Sequence, residues 1–235
     1  MPGPVWVVLP TYNEADNIED FVAAIRAVLP DGRVLIVDDN SPDGTGEIAD
    51  GLAAASKGAV EVLHRPRKEG LGLAYIDGFR RVLAGEASLI CQMDSDFSHD
   101  PTDLRRLIAT AADADLVIGS RYVEGGGVTD WGLVRRLISR GGSVYARTIL
   151  GLDVRDLTGG FKCWHRAALE AVELDTVPAQ GYAFQIETTF RVIEAGFNVR
   201  EVPILFRDRR AGSSKMSRRI VLEAAWRVPL LRLGR

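Results

Sequence analysis

The chain has 235 residues, of which 46% are hydrophobic and 26% are charged, and its formal net charge is −3. This composition excludes a collagen-like, disordered or disulfide-stapled protein, and it suffices for one α/β domain with a full core. The small net charge gives no indication of a nucleic-acid partner, and we expect none.

Strand-like and helix-like segments alternate through the first half of the chain. Short apolar runs are followed by longer segments with apolar residues at helical spacing, such as Ile18, Phe21, Val22 and Ile25. In chain order the sequence predicts strand 5–9, helix 17–29, strand 34–37, helix 45–56, strand 60–63, helix 73–83, strand 89–93, helix 104–112 and strand 116–118. This alternation predicts a mostly parallel sheet with helices on both faces.

The second half of the chain is less regular. We expect a flexible loop at 125–127, a helix at 133–150 that is broken or bent near Gly141 and Gly142, and an inner strand or turn at 157–164. A helix at 184–195, a strand at 199–206 and a final helix at 220–233 complete the prediction. Pro203 favours an edge position for the last strand.

Polar clusters follow four of the predicted strands. They lie at residues 10–14, 38–45, 94–100 and 120–121. Because ligands of open α/β sheets bind beyond the carboxyl ends of the strands, this coincidence predicts a binding site at that edge.

Asp94 and Asp96 close a buried apolar strand and are candidate metal ligands. Two carboxylates at such a point can turn toward one hard cation, and Mg²⁺ is held by one or two carboxylates together with phosphate oxygens and water. A departing diphosphate needs this neutralisation. The alternative is an acidic loop, and Asp100 before Pro101 has the pattern of a helix cap.

Two further clusters are candidates for nucleotide binding. Asp39 can accept hydrogen bonds from a ribose or base edge, whereas residues 41–45 have the composition of a turn that leads into a helix. Tyr12 can stack on a base, and Glu14 stands where a helix N-terminus favours a carboxylate. Neither a dinucleotide-binding fingerprint nor a Walker loop follows the first strand.

Four basic residues are candidates for binding phosphate, namely Arg121, Arg135, Arg209 and Lys215. Arginine binds phosphate in a bidentate manner, although each residue taken alone has the alternative of a surface charge. From Arg200 to Arg235 there are ten Lys or Arg and three Asp or Glu, so the C-terminal part faces something anionic or is a solvated surface.

The N-terminal residues lack the pattern of a signal peptide, and no run approaches the ~18 apolar residues of a membrane span. Cys91 and Cys163, the two cysteines, stand in apolar contexts, which favours a reduced cytosolic compartment. The final helix is compatible with a membrane interface, but we favour a helix packed on the core or on a membrane-bound partner.

Seven motifs occur in order along the chain and together resemble one family. They are Pro-Thr-Tyr-Asn-Glu at 10–14, Val-Asp-Asp-x-Ser-Pro-Asp-Gly-Thr at 37–45, Gly-Leu-Gly-x-Ala-Tyr at 70–75, Asp-x-Asp-x-Ser-His at 94–99, Gly-Ser-Arg-Tyr at 119–122, Leu-Thr-Gly-Gly-Phe at 157–161 and Arg-x-x-Gly-x-Ser-Lys at 209–215. The pattern resembles the polyprenol- and dolichol-phosphate mannosyltransferases, inverting enzymes of glycosyltransferase family 2 with a GT-A fold.

The resemblance implies GDP-mannose as donor, a polyprenyl phosphate as acceptor and Mg²⁺ or Mn²⁺ as cofactor. It implies a nucleotide-sugar site at Pro10, Tyr12, Glu14, Val37, Asp39, Asp94, Ser95, Asp96, Arg209 and Lys215, and a metal site at Asp94 and Asp96. The implied acceptor-phosphate residues are Arg121, Arg135, Ser139 and Arg209, and those most directly involved in catalysis are Asp96, Arg121 and Arg209. Ser98 stands where some relatives have an amide ligand, so water is expected to complete the metal shell.

The resemblance also implies one GT-A domain over residues 1–235, with a nucleotide-sugar-binding half at 1–122, an acceptor-side half at 123–216 and a basic C-terminal helix at 217–235. Some relatives carry transmembrane helices after this domain. This chain is expected to work at the cytosolic face of the membrane, held by a membrane-anchoring partner protein or by its own basic surface.

Two alternatives remain at the level of sequence. One is transfer of glucose from UDP-glucose to the same lipid, or of a sugar to a protein or glycan. The other is a catalytically silent nucleotide-sugar-binding scaffold, which has less use for both a metal site and a phosphate clamp.

Overall fold

The computed structural model describes residues 3–129, 131–178, 181–208 and 218–233. The strands are β1 Val5–Thr11, β2 Arg33–Asp38, β3 Val60–His64, β4 Leu89–Gln92, β5 Leu116–Ser120, β6 Gly127–Val128, β7 Lys162–His165, β8 Val199–Pro203 and β9 Leu205–Phe206. The helices are α1 Ile18–Val28, α2 Thr45–Ala55, α3 Leu71–Leu83, α4 Leu104–Thr110, α5 Leu133–Leu150, α6 Arg166–Glu170, α7 Gly181–Glu194 and α8 Arg218–Arg232.

Seven strands form one sheet in the order β3-β2-β1-β4-β7-β5-β8. All neighbouring pairs are parallel except those of β7, which runs antiparallel between β4 and β5. The prediction of a mostly parallel sheet is therefore confirmed. Because β7 runs in the opposite direction, its first residue, Lys162, lies at the edge where the parallel strands end.

The core lies on both faces of this sheet. Trp6 and Val8 of β1 pack on one side with α3, α5 and α7, whereas Val7 and Leu9 pack on the other side with α1 and α4. This alternation follows from the two-residue period of a strand. The continuous apolar strands of the first half are those that the sheet buries on both faces.

The second half departs from the sequence prediction in two places. The helix α5 is continuous through Gly141 and Gly142, so the expected break is wrong. Gly127, assigned to a flexible loop, begins the short strand β6, which pairs with β9. The edge position predicted for the last long strand is confirmed, because β8 closes one side of the main sheet.

The final helix, α8, packs against α5 and α7. Val228 is buried, and the carbonyl of Ala225 accepts a 2.7 Å hydrogen bond from the hydroxyl of Tyr145. The prediction that the final helix packs on the core is confirmed for the face that carries Val228. Trp226, on the same helix, is 73% exposed. Within the described part of the chain, none of the helices combines the length and apolar character that crossing a bilayer requires.

Candidate active site at the carboxyl edge of the sheet

The loops that follow β1 and β2 are joined by hydrogen bonds. The amide of Glu14 donates to the hydroxyl of Thr45 at 2.9 Å, and the amide of Ala15 donates to the carboxylate of Asp43 at 3.1 Å. Asp43 also accepts from the amide and hydroxyl of Thr45. Residues 41–45 thus form the turn that the sequence predicts, and they hold the first loop at the edge of the sheet.

Asp39 lies at the end of β2 in a buried ion pair with Arg65. The two side chains are 7% and 4% exposed, and Arg65 also donates to Asp77 at 2.8 Å. Burial raises the pKa of Asp39, and the hydrogen bond and charge of Arg65 offset part of this rise. Sequence reasoning missed Arg65, which fixes the direction of the Asp39 carboxylate.

The other predicted nucleotide residues differ in exposure. Tyr12 is half-buried, with the ammonium of Lys68 3.6 Å from its ring centre, and Glu14 is buried and accepts a 3.0 Å bond from Asn17. Pro10 is half-buried, and its carbonyl accepts from the Ser95 hydroxyl at 3.4 Å. Val37, in contrast, has no exposed surface and packs beneath the edge against α3, so its side chain does not line the site.

The loop after β4 places Asp94 beside the hydroxyl of Tyr75. That phenol donates to Asp94 at 3.4 Å. Burial raises the pKa of Tyr75 well above its ordinary value, and the charges of both Asp94 and Asp96 raise it further. Asp94 and Asp96 thus lie on one short loop beside this buried phenol, and the charges of both act on it.

The chain turns sharply between Asp96 and Ser98. Phe97 has a φ of 60°, a left-handed conformation that is uncommon for a bulky residue, and its ring packs edge-to-face on Phe21 at 4.8 Å. The amide of Ser98 then donates to Asp96 at 3.0 Å. Such conformations cost about 1–3 kcal/mol and persist where the surrounding structure holds them, which is frequent at functional sites.

The donor chemistry at the end of β4 fits a hard divalent cation. Asp94 is partly exposed, whereas Asp96 is buried, and both supply carboxylate oxygens. Within the described ranges there is no group of three or more His, Cys, Asp or Glu that could hold a metal ion. Two carboxylates nevertheless suffice for Mg²⁺, which takes its remaining ligands from substrate phosphates and water.

His99 is a buried part of this edge. Its Nδ1 atom accepts from the amide of Asp94 at 3.2 Å, and its ring packs on Phe161 and Phe206. Burial lowers the pKa of His99 to about 4. The charge of Asp96 acts to raise this pKa, and the charge of Arg121 acts to lower it. The neutral ring thus lies between the acidic pair and the basic side of the site.

Arg121 is buried in a bidentate ion pair with Asp156. Its Nε and Nη2 atoms each lie 2.7 Å from the carboxylate, and Nη2 also donates to Thr158 at 2.8 Å. Burial alone would raise the pKa of Asp156, but the charge and hydrogen bonds of Arg121 hold it below its ordinary value. The sequence placed Arg121 in the site but did not indicate its partner.

Arg135 and Ser139 lie on α5, facing the same region. Arg135 pairs with Asp208 at 2.9 Å and lies 4.1 Å from the ring centre of Trp131. The Ser139 hydroxyl accepts from the Tyr122 hydroxyl at 2.7 Å, which ties α5 to the residue after Arg121. Arg209 and Lys215, the remaining basic candidates, lie outside the described residues.

Lys162 is a buried cation that sequence reasoning missed. It has no exposed surface, and its ammonium donates to the carbonyl of Gln185 at 2.8 Å and to the hydroxyl of Thr189 at 2.9 Å. Burial lowers its pKa to about 7. The available signal was a single lysine between Phe161 and Trp164 in an otherwise apolar strand.

Comparison with known proteins agrees with this architecture. The model of the family described as Glycosyl transferase family 2 matches residues 6–173. The chain belongs to glycosyl transferase family 2, and its fold is GT-A.

The curated relatives are similar over nearly the whole chain. The polyprenol monophosphomannose synthase of Mycolicibacterium smegmatis is 45% identical over 223 residues, which cover 94% of this chain and 84% of that protein. The undecaprenyl-phosphate mannosyltransferase of Micrococcus luteus is 46% identical over 220 residues, 94% of this chain and 90% of that protein.

Among solved structures, the glucosyl-3-phosphoglycerate synthase of Mycobacterium tuberculosis with Mn²⁺, UDP and phosphoglyceric acid shares the fold. The TM-score is 0.72 at 22% identity, over 99% of this chain and 79% of that one. The same synthase with Mg²⁺ and UDP gives a TM-score of 0.71 at 21% identity, over 99% and 80% of the two chains.

Replacement of Asp156 by asparagine tests the buried ion pair. The Asp156→Asn side chain keeps the shape but leaves the guanidinium of Arg121 buried without a counter-charge, which is expected to cost about 3–5 kcal/mol of unfolding free energy. Urea unfolding measures this loss. The control is Asp153→Asn, because Asp153 is fully exposed and lies 3.7 Å from Arg147; an equal effect of both changes would contradict the assignment.

Replacement of Lys162 by methionine tests the buried amine. Because the folded pKa of about 7 lies below the ordinary value of 10.5, the unfolded chain binds more protons between these values, and the contribution of Lys162 to stability rises with pH. The unfolding free energy of the wild type should therefore rise relative to that of Lys162→Met as the pH increases from 7 to 10. The exposed Lys57→Met control should show no such shift, and a pH-independent difference for Lys162→Met would contradict the prediction.

Proposed function

We propose that this chain transfers mannose from GDP-mannose to a polyprenyl monophosphate and gives a polyprenyl-phosphate-mannose. The observation that carries the proposal is the placement of Asp94 and Asp96 in the loop after β4, at the edge of the sheet where the buried Arg121 follows β5. Two relatives about equally similar to this chain, at 45% and 46% identity, are named for polyprenyl-linked mannose chemistry, which supports the choice of sugar and acceptor.

The donor nucleotide is assigned to the loops after β1 and β2. Tyr12 offers a ring surface, while Glu14 and the Asp39 carboxylate, held by Arg65, offer acceptors for ribose or base groups. The half-buried Pro10 and the buried Ser95 border this position through their mutual hydrogen bond, with Val37 below them. These assignments define residues 1–122 as the nucleotide-sugar-binding half.

The diphosphate is assigned to Asp94 and Asp96 together with Mg²⁺ or Mn²⁺. A divalent cation held by these carboxylates would supply positive charge against the departing diphosphate. GT-A neighbours that crystallised with Mn²⁺ or Mg²⁺ and UDP support the use of a divalent metal. The buried Ser98, whose amide fixes Asp96, is a poorer ligand than an amide side chain, so water completes the shell.

The acceptor phosphate is assigned to the side of the site formed by Arg121, Arg135 and Ser139. Arg121 is already bonded to Asp156 and Thr158 through Nε and Nη2, so it contributes mainly through its charge. Arg135 and the Ser139 hydroxyl come from α5. Arg209 and Lys215 are assigned here and beside the donor phosphates on the strength of their motif alone.

In the proposed reaction an acceptor phosphate oxygen forms the bond to the anomeric carbon from the face opposite the nucleotide. The bond from that carbon to the diphosphate oxygen breaks, GDP leaves with the electron pair, and the configuration inverts. Because the attacking phosphate is already anionic near neutral pH, no strong general base is required. The buried His99, whose pKa of about 4 keeps it neutral, is therefore assigned a structural part. Rate enhancement comes from positioning and charge.

A membrane-facing surface is assigned to the outer side of α5. Leu133 and Leu137 are 75% and 71% exposed, and Arg136 and Arg140 are exposed on the same helix. In the N-terminal part of this helix the buried side carries Ser139 and Ser143, which reverses the usual polarity of a helix on a soluble domain, whereas Ala146 and Leu150 join the core further along. Apolar and basic side chains presented together suit the anionic surface of a membrane that contains the acceptor lipid.

We therefore propose that the chain binds peripherally at the cytosolic face of the membrane. The outer side of α5 supplies the contact, and the basic segment 217–235 or a membrane-anchoring partner protein adds to it.

Replacement of Asp96 by asparagine tests the function. Asp96→Asn should reduce transfer of labelled mannose from GDP-mannose to polyprenyl phosphate by at least about 100-fold, because one charged ligand of the cation is lost. The assay is run with and without Mg²⁺ and Mn²⁺, and circular dichroism checks the fold. Asp100→Asn is the control, since asparagine preserves the cap that Asp100 forms with Thr102.

The outcomes distinguish the alternatives. Near-normal transfer by Asp96→Asn would refute the metal role. Transfer from UDP-glucose in preference to GDP-mannose would make the chain a polyprenyl-phosphate glucosyltransferase. Binding of either nucleotide sugar without transfer would make it a scaffold.

Charge substitution on α5 tests the membrane surface. The double change Leu133→Glu and Leu137→Glu should reduce co-sedimentation with anionic lipid vesicles at least about 10-fold, because apolar area is lost and carboxylates face anionic lipid. Activity on a short, water-soluble polyprenyl phosphate should persist. Ala54→Glu on α2, an exposed position behind β2 and β3, is the control; equal vesicle binding by all three proteins would contradict the assignment.

A further inference from the structure

The side-chain amide nitrogen of Gln185 is a buried donor without a hydrogen-bond partner among the described residues. Gln185 lies on α7 and is 3% exposed. A buried donor that is left unpaired costs free energy, so such groups are uncommon in folded proteins. The proposed function, as stated so far, gives this residue no role.

The orientation of this amide is set by a chain of hydrogen bonds. The indole nitrogen of Trp164 donates to the side-chain oxygen of Gln92 at 3.0 Å, and the Gln92 nitrogen donates to the side-chain oxygen of Gln185 at 3.0 Å. Because an indole N–H can only donate, it fixes which end of Gln92 is oxygen and, in turn, which end of Gln185 is nitrogen. The nitrogen must therefore face away from Gln92.

The backbone of Gln185 is also held. Its carbonyl accepts from the buried ammonium of Lys162 at 2.8 Å and from the hydroxyl of Thr189 at 2.9 Å. The amide nitrogen is thus an oriented donor on a fixed support. This is the arrangement expected of a group that recognises a ligand.

The nitrogen points toward the space above Gly160, beside the acidic pair. A Cβ atom built on Gly160 would lie 3.6 Å from the Gln185 nitrogen, 3.8 Å from His99 and 3.9 Å from the Asp94 carboxylate. The absence of a side chain at residue 160 therefore leaves room for an atom in ordinary contact with all three groups. One hexose ring attached to a diphosphate at Asp94 would reach it.

We propose that the Gln185 amide donates a hydrogen bond to a hydroxyl group of the transferred sugar, which makes Gln185 a specificity-determining residue. This inference rests on the proposed function, since it takes the diphosphate to lie at Asp94. Hexose epimers differ only in the direction of one hydroxyl group. A fixed, buried donor discriminates strongly between them, because the wrong epimer leaves the donor unpaired.

The first test replaces Gln185 by methionine, which is similar in length and has no N–H. In equilibrium titrations, Gln185→Met should bind the nucleotide sugar about 10- to 100-fold more weakly than the wild type, whereas the affinity for the free nucleoside diphosphate should stay within about 2-fold. The control is Glu187→Gln, which changes another buried polar side chain of α7, one that pairs with Arg191, and leaves the Gln185 amide and its supports in place. It should leave both affinities unchanged.

The second test replaces Gly160 by alanine. All three neighbours of the added methyl group would lie at ordinary contact distances, so the melting temperature should stay near that of the wild type. The methyl group would occupy the space above residue 160. The affinity for the nucleotide sugar should therefore fall at least about 10-fold relative to the wild type, while the affinity for the free nucleoside diphosphate should change little. This variant keeps the inference testable if Gln185→Met does not fold.

Deoxy-sugar nucleotides identify the hydroxyl group. A donor that lacks the relevant hydroxyl group should bind more weakly to the wild type than the complete donor does. The same two donors should bind equally well to Gln185→Met, and a double-mutant cycle measures this coupling. Equal losses for every deoxy donor in both proteins, or equal weakening of the free nucleotide, would overturn the inference.

If the wild type transfers glucose rather than mannose and shows the same coupling to one hydroxyl group, the proposed donor is wrong and the role of Gln185 stands. A wild-type protein that transfers mannose without any coupling would reject the role of Gln185 alone. Failure of the wild type to bind any nucleotide sugar would overturn both.

Discussion

The antiparallel insertion of β7 between β4 and β5 is the constraint on which the site depends. It reverses the chain direction, so residues 156–161 arrive at the edge where the parallel strands end. The ion pair of Asp156 with Arg121 then fixes this segment to the end of β5. A buried pair of this kind is expensive to break, because either partner alone would remain charged and desolvated.

Two functional layers follow from this arrangement. Residues on one side, from the loops after β1, β2 and β4, present carboxylates and a ring surface, whereas residues on the other side, from β5 and α5, present guanidinium and hydroxyl groups. His99 contacts both sides, because its ring accepts a hydrogen bond from the amide of Asp94 and packs on Phe206, which lies against the guanidinium of Arg121. Opposite charges are thus held apart at close range, which suits a reaction between a cation-bound diphosphate and an incoming anion.

Sequence periodicity sufficed for the first half of the fold, because strongly apolar strands and amphipathic helices leave clear patterns. It also placed Asp39, Asp94, Asp96 and Arg121 at the carboxyl edge of the sheet, since polar clusters that follow parallel strands meet there. It could not reveal Asp156 or Arg65, whose roles depend on pairing with residues distant along the chain. It placed a break in α5 because two adjacent glycines weaken a helix, but packing against α8 holds the helix intact.

In the proposed membrane contact, the N-terminal part of α5, with serines buried and leucines exposed, would set the depth at which the acceptor is met. The same helix, about 10 Å across, turns Ser139 inward and Leu137 outward. With the outer side of this helix on the bilayer, as proposed, the phosphate of a lipid would reach the inner side while the isoprenoid tail stayed among the acyl chains. The enzyme would then recognise a headgroup at a set height and remain indifferent to how many isoprene units lie below it.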